Sequence, residues 1–116
     1  PFCAVSLTSL DGEPIASSER ILITATARCA NTGMEWNEDR TSLGTRWGGP
    51  PLLIEPVEGE IVLNRKPGDA VDLFTLDGRG MYAGRAAKLA PTDRGIVIPL
   101  NKRKPATVWY ELRIQR

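Results

Sequence analysis

The sequence predicts an all-β protein: about eight short strands in an antiparallel β-sandwich of the immunoglobulin-like or jelly-roll-like kind. Apolar and polar residues alternate with a period of two through most of the chain, and β-branched residues are concentrated in the alternating runs. Turn residues such as glycine, proline and aspartate separate these runs at intervals of about ten residues. No segment has the apolar stripe of a helix, and a closed barrel is the alternative that the same pattern allows.

The N-terminal part of the chain is predicted to form two strands. Residues 2–8 alternate and are followed by the turn pair Asp11-Gly12, which ends the first strand. Residues 20–28, with the sequence RILITATAR, place Ile21 and Ile23 on one face and threonines on the other. These two strands are expected to contribute one face each to the core.

Strands are predicted again after a long irregular segment, over residues 52–57 and 60–63, joined by Glu58-Gly59. Pro50 and Pro51 come directly before the first of them. Because proline has no N–H to donate to a neighbouring strand, this strand is expected to be an edge strand or to begin at Leu52.

A hairpin is predicted next, with strands over residues 70–76 and 81–89. Asp77-Gly78 lies between them and supplies the positive φ that a tight hairpin turn requires. Residues 95–100 and 106–114 are expected to complete the set of strands.

The last predicted strand has the clearest alternation. In TVWYELRI, the apolar side chains that point to one face are Val108, Tyr110, Leu112 and Ile114. Trp109 points to the opposite, mixed face. We therefore expect Trp109 either to pack under a loop or to meet a ligand.

Length and composition predict a single domain over residues 1–116, with 41% hydrophobic and 25% charged residues. The formal net charge of +1 provides no basic field for nucleic acid, and no apolar run has the length of a membrane span. The sequence begins at Pro1, without a methionine or a signal-like series, and is already strand-like there. We interpret it as a piece of a larger protein.

Residue types that commonly perform catalysis are scarce. The chain has no histidine, which excludes serine- and cysteine-histidine hydrolysis, and the acidic residues Glu35, Glu38 and Asp39 lie beside Arg40 and Arg46, which are expected to neutralise them. We predict no catalytic residue and no enzymatic activity.

Metal and disulfide chemistry have little support in the sequence. Glu38 and Asp39 could join carbonyl oxygens around a structural calcium ion, but the spacing of a calcium-binding loop is missing, so we predict no cofactor and no metal site. Cys3 and Cys29 are too few for a disulfide framework. Two states stay open for them: one bridge, or buried free thiols.

The irregular segment over residues 31–51, NTGMEWNEDRTSLGTRWGGPP, is the candidate binding region. Sugars stack their C–H faces on indole rings and hydrogen-bond to planar polar side chains. Trp36 has such polar neighbours on both sides, and Trp47 precedes two glycines that allow close backbone approach. The predicted ligand-binding residues are Trp36, Asn37, Asp39, Arg40, Trp47 and Trp109. The alternative is that the tryptophans fold inward and close one end of the sandwich.

A family likeness accompanies these residues. The run RILITATARCANTGMEWNEDRTSLGTRWGGPPLLIEPVEGEIVL, followed by VDLFTLDGRG and TVWYELRI, resembles the C-terminal β-sandwich that follows the catalytic barrel in large bacterial glycoside hydrolases of the cellulase-like and agarase-like kind. The likeness spans residues 20–114, and NTGMEWNEDRTSLGTRWG is its distinctive part. It implies a non-catalytic accessory domain, and it assigns no binding residue.

The sequence therefore supports three hypotheses. The first is a carbohydrate-binding module that holds polysaccharide near an adjacent catalytic domain, as part of a secreted or cell-surface enzyme. The second is a structural domain whose long loop packs on that catalytic barrel and stabilises it without binding glycan. The third is an immunoglobulin-like module that binds protein through its sheet edge.

Overall fold

The fold is all-β. The computed structural model describes residues 3–66, 70–90, 92–101 and 106–115, and within these ranges it contains nine strands and no helix. In chain order the strands are β1 (Ala4–Ser9), β2 (Arg20–Thr26), β3 (Cys29–Thr32), β4 (Gly49–Ile54), β5 (Gly59–Leu63), β6 (Ala70–Thr75), β7 (Ala87–Leu89), β8 (Ile96–Leu100) and β9 (Trp109–Gln115). Phe2, in the first predicted strand, lies outside the described residues.

The strands form three antiparallel sheets. The largest has five strands in the order β1-β2-β9-β6-β7, while β5 pairs with β8 and β3 pairs with β4. The predicted antiparallel sandwich is confirmed. The barrel alternative does not hold, because β1 and β7 are open edges of the five-stranded sheet.

One hydrophobic core joins the five-stranded sheet to the β5–β8 sheet. Ile23 in β2, Leu112 in β9 and Ile98 in β8 are each 0% exposed, and their neighbours on the same faces are also buried. The core residues are Ile21, Ile23, Ala25, Val71, Leu73, Ile96, Ile98, Leu100, Tyr110, Leu112 and Ile114. The alternation predicted for the second strand is therefore confirmed, and in the last strand it holds for Tyr110, Leu112 and Ile114. Val108, predicted for the same face, lies before β9 and is only partly buried.

The predicted return strand over residues 81–89 is wrong in extent. Only Ala87–Leu89 pairs with β6, and Tyr82 makes a single bridge to Leu76. The chain leaves the sheet because the Asp77 carboxylate accepts the N–H groups of Arg79 and Met81, at 2.8 and 3.0 Å. The positive φ of this turn falls on Gly80, at 79°, instead of on Gly78.

Other strand boundaries also differ from the sequence prediction. β2 ends at Thr26, short of the predicted end at Arg28, and a new strand starts at Cys29 and runs into the segment 31–51 that was predicted to be irregular. β4 begins at Gly49 and includes both prolines, so the predicted start at Leu52 is wrong. The edge position predicted for this strand is confirmed, since β4 pairs with β3 alone.

The two cysteines are unbridged and exposed. Cys3 precedes β1 on one side of the five-stranded sheet, whereas Cys29 begins β3 in a different sheet. Both thiols are free, but the prediction that free thiols would be buried is wrong, because neither residue contributes to the core.

Candidate functional site

The most unusual part of the molecule is a two-stranded arm, which we define as residues 28–55. It contains β3, β4 and the loop 33–48 that connects them. At its base the Glu55 N–H donates to the Arg28 carbonyl, and the two side chains form an exposed ion pair at 2.9 Å. The predicted loop 31–51 is thus the outer part of a β-ribbon.

The arm leaves large apolar side chains in solvent. Leu52, Leu53 and Ile54 are each more than half exposed, at 57%, 53% and 51%. Successive residues of a strand point to opposite faces, so both faces of the ribbon carry apolar groups. A two-stranded ribbon has little stability by itself, which makes this arm a candidate contact surface.

Close backbone packing holds the root of the loop together. Gly48 has φ of 70°, and a Cβ atom there would lie 2.3 Å from the Thr32 carbonyl oxygen and 2.6 Å from the Met34 nitrogen. Only glycine fits this approach. Beside it, the Asn31 amide donates to the Trp47 carbonyl oxygen at 3.2 Å.

Gly48→Ala is expected to loosen the arm while leaving the core folded, because the added methyl group has no space and the positive φ is unfavourable. Hydrogen exchange of the amides in residues 33–48 measures this effect directly. Gly49→Ala is the matched control, since Gly49 has no atom within 4 Å of a Cβ position. Equal exchange in the two variants would contradict the role given to Gly48.

The turn beyond Trp36 is built on Asn37. Its side-chain oxygen accepts the Thr41 N–H at 2.9 Å, and its side-chain amide donates to the Thr41 hydroxyl at 3.1 Å. Its backbone N–H donates to the Ser42 carbonyl. Asn37 therefore positions the turn that carries Trp36 and Arg40.

Trp36 and Arg40 come together on this turn. The Arg40 guanidinium lies over the indole, 5.6 Å from the ring centroid, and Arg40 adopts a left-handed φ of 56°. Trp36 is 39% exposed. Both residues line a surface depression of about 440 Å³ whose other walls include Arg28, Met34 and Leu53.

The remaining arm residues predicted for the site lie elsewhere. Trp47 is 62% exposed, the most open of the three tryptophans, and it does not line the Trp36 depression. Asp39 is exposed on the Asn37 turn. The alternative in which the tryptophans close the sandwich does not describe Trp36 and Trp47, because both rings are exposed.

Trp109 lines a second depression, of about 380 Å³, between the base of the arm and the outer face of the five-stranded sheet. Ile54 of the arm and Pro56, just after it, line one side, and Leu76 lines the side of the sheet. Trp109 is partly buried and pairs with Thr24 across the sheet. Its position on the face opposite the core is as predicted, and the depression is open to a ligand.

Two polar residues fix the walls of this second depression. The Asn101 side-chain amide donates to the Val57 carbonyl at 2.7 Å and to the Thr107 carbonyl at 3.1 Å. The Thr107 hydroxyl donates to the Leu76 carbonyl at 2.6 Å. The segments that follow the arm, follow β6 and precede β9 are thereby held in one arrangement.

A charged cluster on the outer sheet face was not predicted from the sequence. Glu111 is only 3% exposed and accepts two hydrogen bonds from Arg20, at 2.6 and 2.9 Å. Its second oxygen accepts from the Tyr82 hydroxyl, which in turn accepts from Arg113. Tyr82 also stacks on Phe74, with ring centroids 4.4 Å apart.

Opposing effects act on the pKa values in this cluster. Burial raises the pKa of Glu111, but hydrogen bonds from Tyr82 and Arg20 and the charge of Arg113 together bring it below its ordinary value. The hydrogen bond to Glu111 raises the pKa of Tyr82, because it stabilises the protonated phenol. The carboxylate is therefore ionised, and the phenol protonated, near neutral pH.

Among the described residues, no group of three or more cysteine and acidic side chains is placed to hold a metal ion. The described segments also contain no helix that could span a lipid bilayer. Comparison with protein-family models, with curated protein sequences and with solved structures finds no match to the chain. The likeness to accessory domains of glycoside hydrolases therefore stays a prediction.

Proposed function

We propose that the chain is a non-catalytic carbohydrate-binding module attached to a glycoside hydrolase, and that it binds polysaccharide through exposed aromatic rings. The observation that carries the proposal is the open indole of Trp36, held beside Arg40 in a surface depression. Indole faces and planar guanidinium groups are well suited to sugar C–H faces and hydroxyls.

Rigidity of the arm turn also supports this proposal. Asn37 holds the turn that bears Trp36 and Arg40, so a sugar would meet rings that are already in place. Binding to a preorganised surface costs less conformational entropy than binding to a disordered loop. Trp47 offers a second open ring, and Asp39 and Arg40 offer groups that can orient hydroxyls.

The proposed role of the module is to hold polysaccharide close to the catalytic domain. A module that holds polysaccharide raises the effective concentration of substrate at a catalytic domain in the same chain. No reacting group is needed in the module itself. The expected partners are therefore a polysaccharide and the adjacent catalytic domain.

Retention of the isolated chain on insoluble cellulose, agarose, xylan and mannan tests the proposal. Trp36→Ala and Trp47→Ala are each expected to weaken binding to the retained glycan by roughly tenfold, equivalent to about 1.4 kcal/mol. Val62→Ala is the control: Val62 lies in β5, is 38% exposed and lines none of the depressions that contain Trp36 or Trp109. Failure of the unmodified chain to bind any of the four glycans would reject carbohydrate binding.

A second candidate function is structural packing of the arm on the neighbouring catalytic barrel. It is favoured by Leu52, Leu53 and Ile54, since aliphatic side chains exposed on both ribbon faces suit a protein contact better than a sugar. Under this hypothesis the chain binds no glycan, and its melting temperature rises when it is joined to the barrel. An unchanged melting temperature would count against it.

A further inference from the structure

Three surface depressions adjoin one another along the molecule. The Trp36 depression and the Trp109 depression share Ile54 in their walls. The Trp109 depression in turn shares Leu76 with a third depression, of about 280 Å³, which is lined by Tyr82, Arg20 and Glu111. The three form a series that runs from the arm onto the outer face of the five-stranded sheet.

Each depression contains one aromatic ring that solvent can reach. Trp36 is 39% exposed and Tyr82 is 47% exposed, while Trp109 is partly buried between them. Because Phe74 stacks beneath Tyr82 and Glu111 holds its hydroxyl, the Tyr82 ring is fixed in position. A partly exposed aromatic ring held by its neighbours is the feature that the proposed sugar contact at Trp36 also uses.

The charges along this series are largely paired with one another. Arg20 is bound to Glu111, and Arg28 to Glu55. The whole chain has a formal net charge of only +1. A strongly anionic or cationic polymer would therefore gain little electrostatic attraction, whereas an uncharged polymer is not opposed.

We propose that the three depressions are consecutive subsites for one linear, uncharged polysaccharide, with Tyr82 as the subsite at the sheet end. This inference rests on the proposed carbohydrate binding and adds to it the shape and charge of the ligand. The chain recognises internal stretches of an extended polymer, because several sugar units must lie across Trp36, Trp109 and Tyr82 at once. Short sugars fill one depression and gain only part of the contact.

Titration calorimetry with oligosaccharides of increasing length tests the proposal. The probes are disaccharides and hexasaccharides of the cello-, xylo-, manno- and agaro- series. For the series that binds, the hexasaccharide is expected to bind roughly tenfold or more tightly than the disaccharide, since additional subsites act within one ligand. Tyr82→Ala is expected to remove most of this gain.

Tyr82→Phe is the matched variant, because it keeps the ring and removes the hydroxyl that binds Glu111. We expect this variant to retain the higher affinity for longer sugars, because the ring that stacks on the sugar is still present. Equal affinity for short and long sugars would overturn the series of subsites while leaving the proposed function intact. If Tyr82→Phe loses as much of the gain in affinity with sugar length as Tyr82→Ala, the subsite role of the ring is overturned. Binding of no sugar of any length would reject the proposed function as well.

Discussion

Replacing Glu111 with glutamine is expected to lower the free energy of unfolding by about 2–3 kcal/mol. The carboxylate is almost completely buried and satisfies hydrogen bonds from Arg20 and Tyr82. A neutral amide of the same shape leaves the arginines without a negative partner. Because the Arg20 side chain is half exposed, water can solvate its guanidinium in the variant. The loss of stability is therefore smaller than for a fully buried ion pair.

Urea unfolding measures this effect, and Glu55→Gln is the control. Glu55 also pairs with an arginine, accepting one hydrogen bond from Arg28 at 2.9 Å, but both side chains are exposed. Exposed ion pairs contribute about 0–1 kcal/mol, so Glu55→Gln should change stability little. Similar losses in the two variants would show that burial of Glu111 does not set the strength of its interactions.

The Glu111 contribution should also depend on pH. Although burial raises the pKa of Glu111, its hydrogen bonds and the nearby arginines bring it below the ordinary value. The folded state therefore favours the ionised form, and the contribution is complete above the unfolded pKa of about 4.3. The stability difference between the unmodified chain and Glu111→Gln should shrink as the pH falls below that value. A difference that grows under acid would contradict this sign.

Ile98→Ala is expected to lower the free energy of unfolding by about 2–5 kcal/mol, because it leaves a cavity between the two layers of the sandwich. Ile98 lies in β8, the strand that brings the smaller sheet over the core, and it is 0% exposed. Thermal or urea unfolding measures the loss. Ile54→Ala removes the same atoms from the arm, where the side chain is 51% exposed, and should cost far less. Comparable losses at the two positions would mean that the arm is part of the core.

Much of the sandwich could be predicted because burial follows a period of two. Ile21 and Ile23, and likewise Leu112 and Ile114, alternate with polar or partly exposed neighbours, and each pair is buried. β3 was missed because CANT has neither alternation nor β-branched enrichment. Its strand conformation depends on pairing with β4 across Ala30 and Leu53. The opposite happens before β7: the alternating pattern predicts a strand over residues 81–89, but hydrogen bonds to the Asp77 side chain hold the first part of this segment in a turn.

The proposed binding region could be located from the sequence only in part. The tryptophans and their polar neighbours marked the arm, and local spacing was enough to bring Trp36 and Arg40 together. The second and third depressions depend on residues distant in sequence, such as Ile54 beside Trp109 and Tyr82 beside Glu111. Glu111 and Arg113 could be placed on one face of the last strand by alternation. Nothing in the local sequence indicates that Tyr82, which follows a turn, covers these two side chains.

The proposed contact between exposed indoles and polysaccharide can be observed on the indole N–H groups themselves. The chain has three tryptophans, so a two-dimensional nitrogen–proton spectrum shows three indole N–H signals, which single Trp→Phe variants assign. On titration with soluble derivatives of cellulose, xylan, mannan and agarose, we expect one of these glycans to shift the Trp36 signal in a saturable way. If none of the four moves any indole signal, the tryptophans do not bind these polysaccharides and the proposed carbohydrate binding is contradicted.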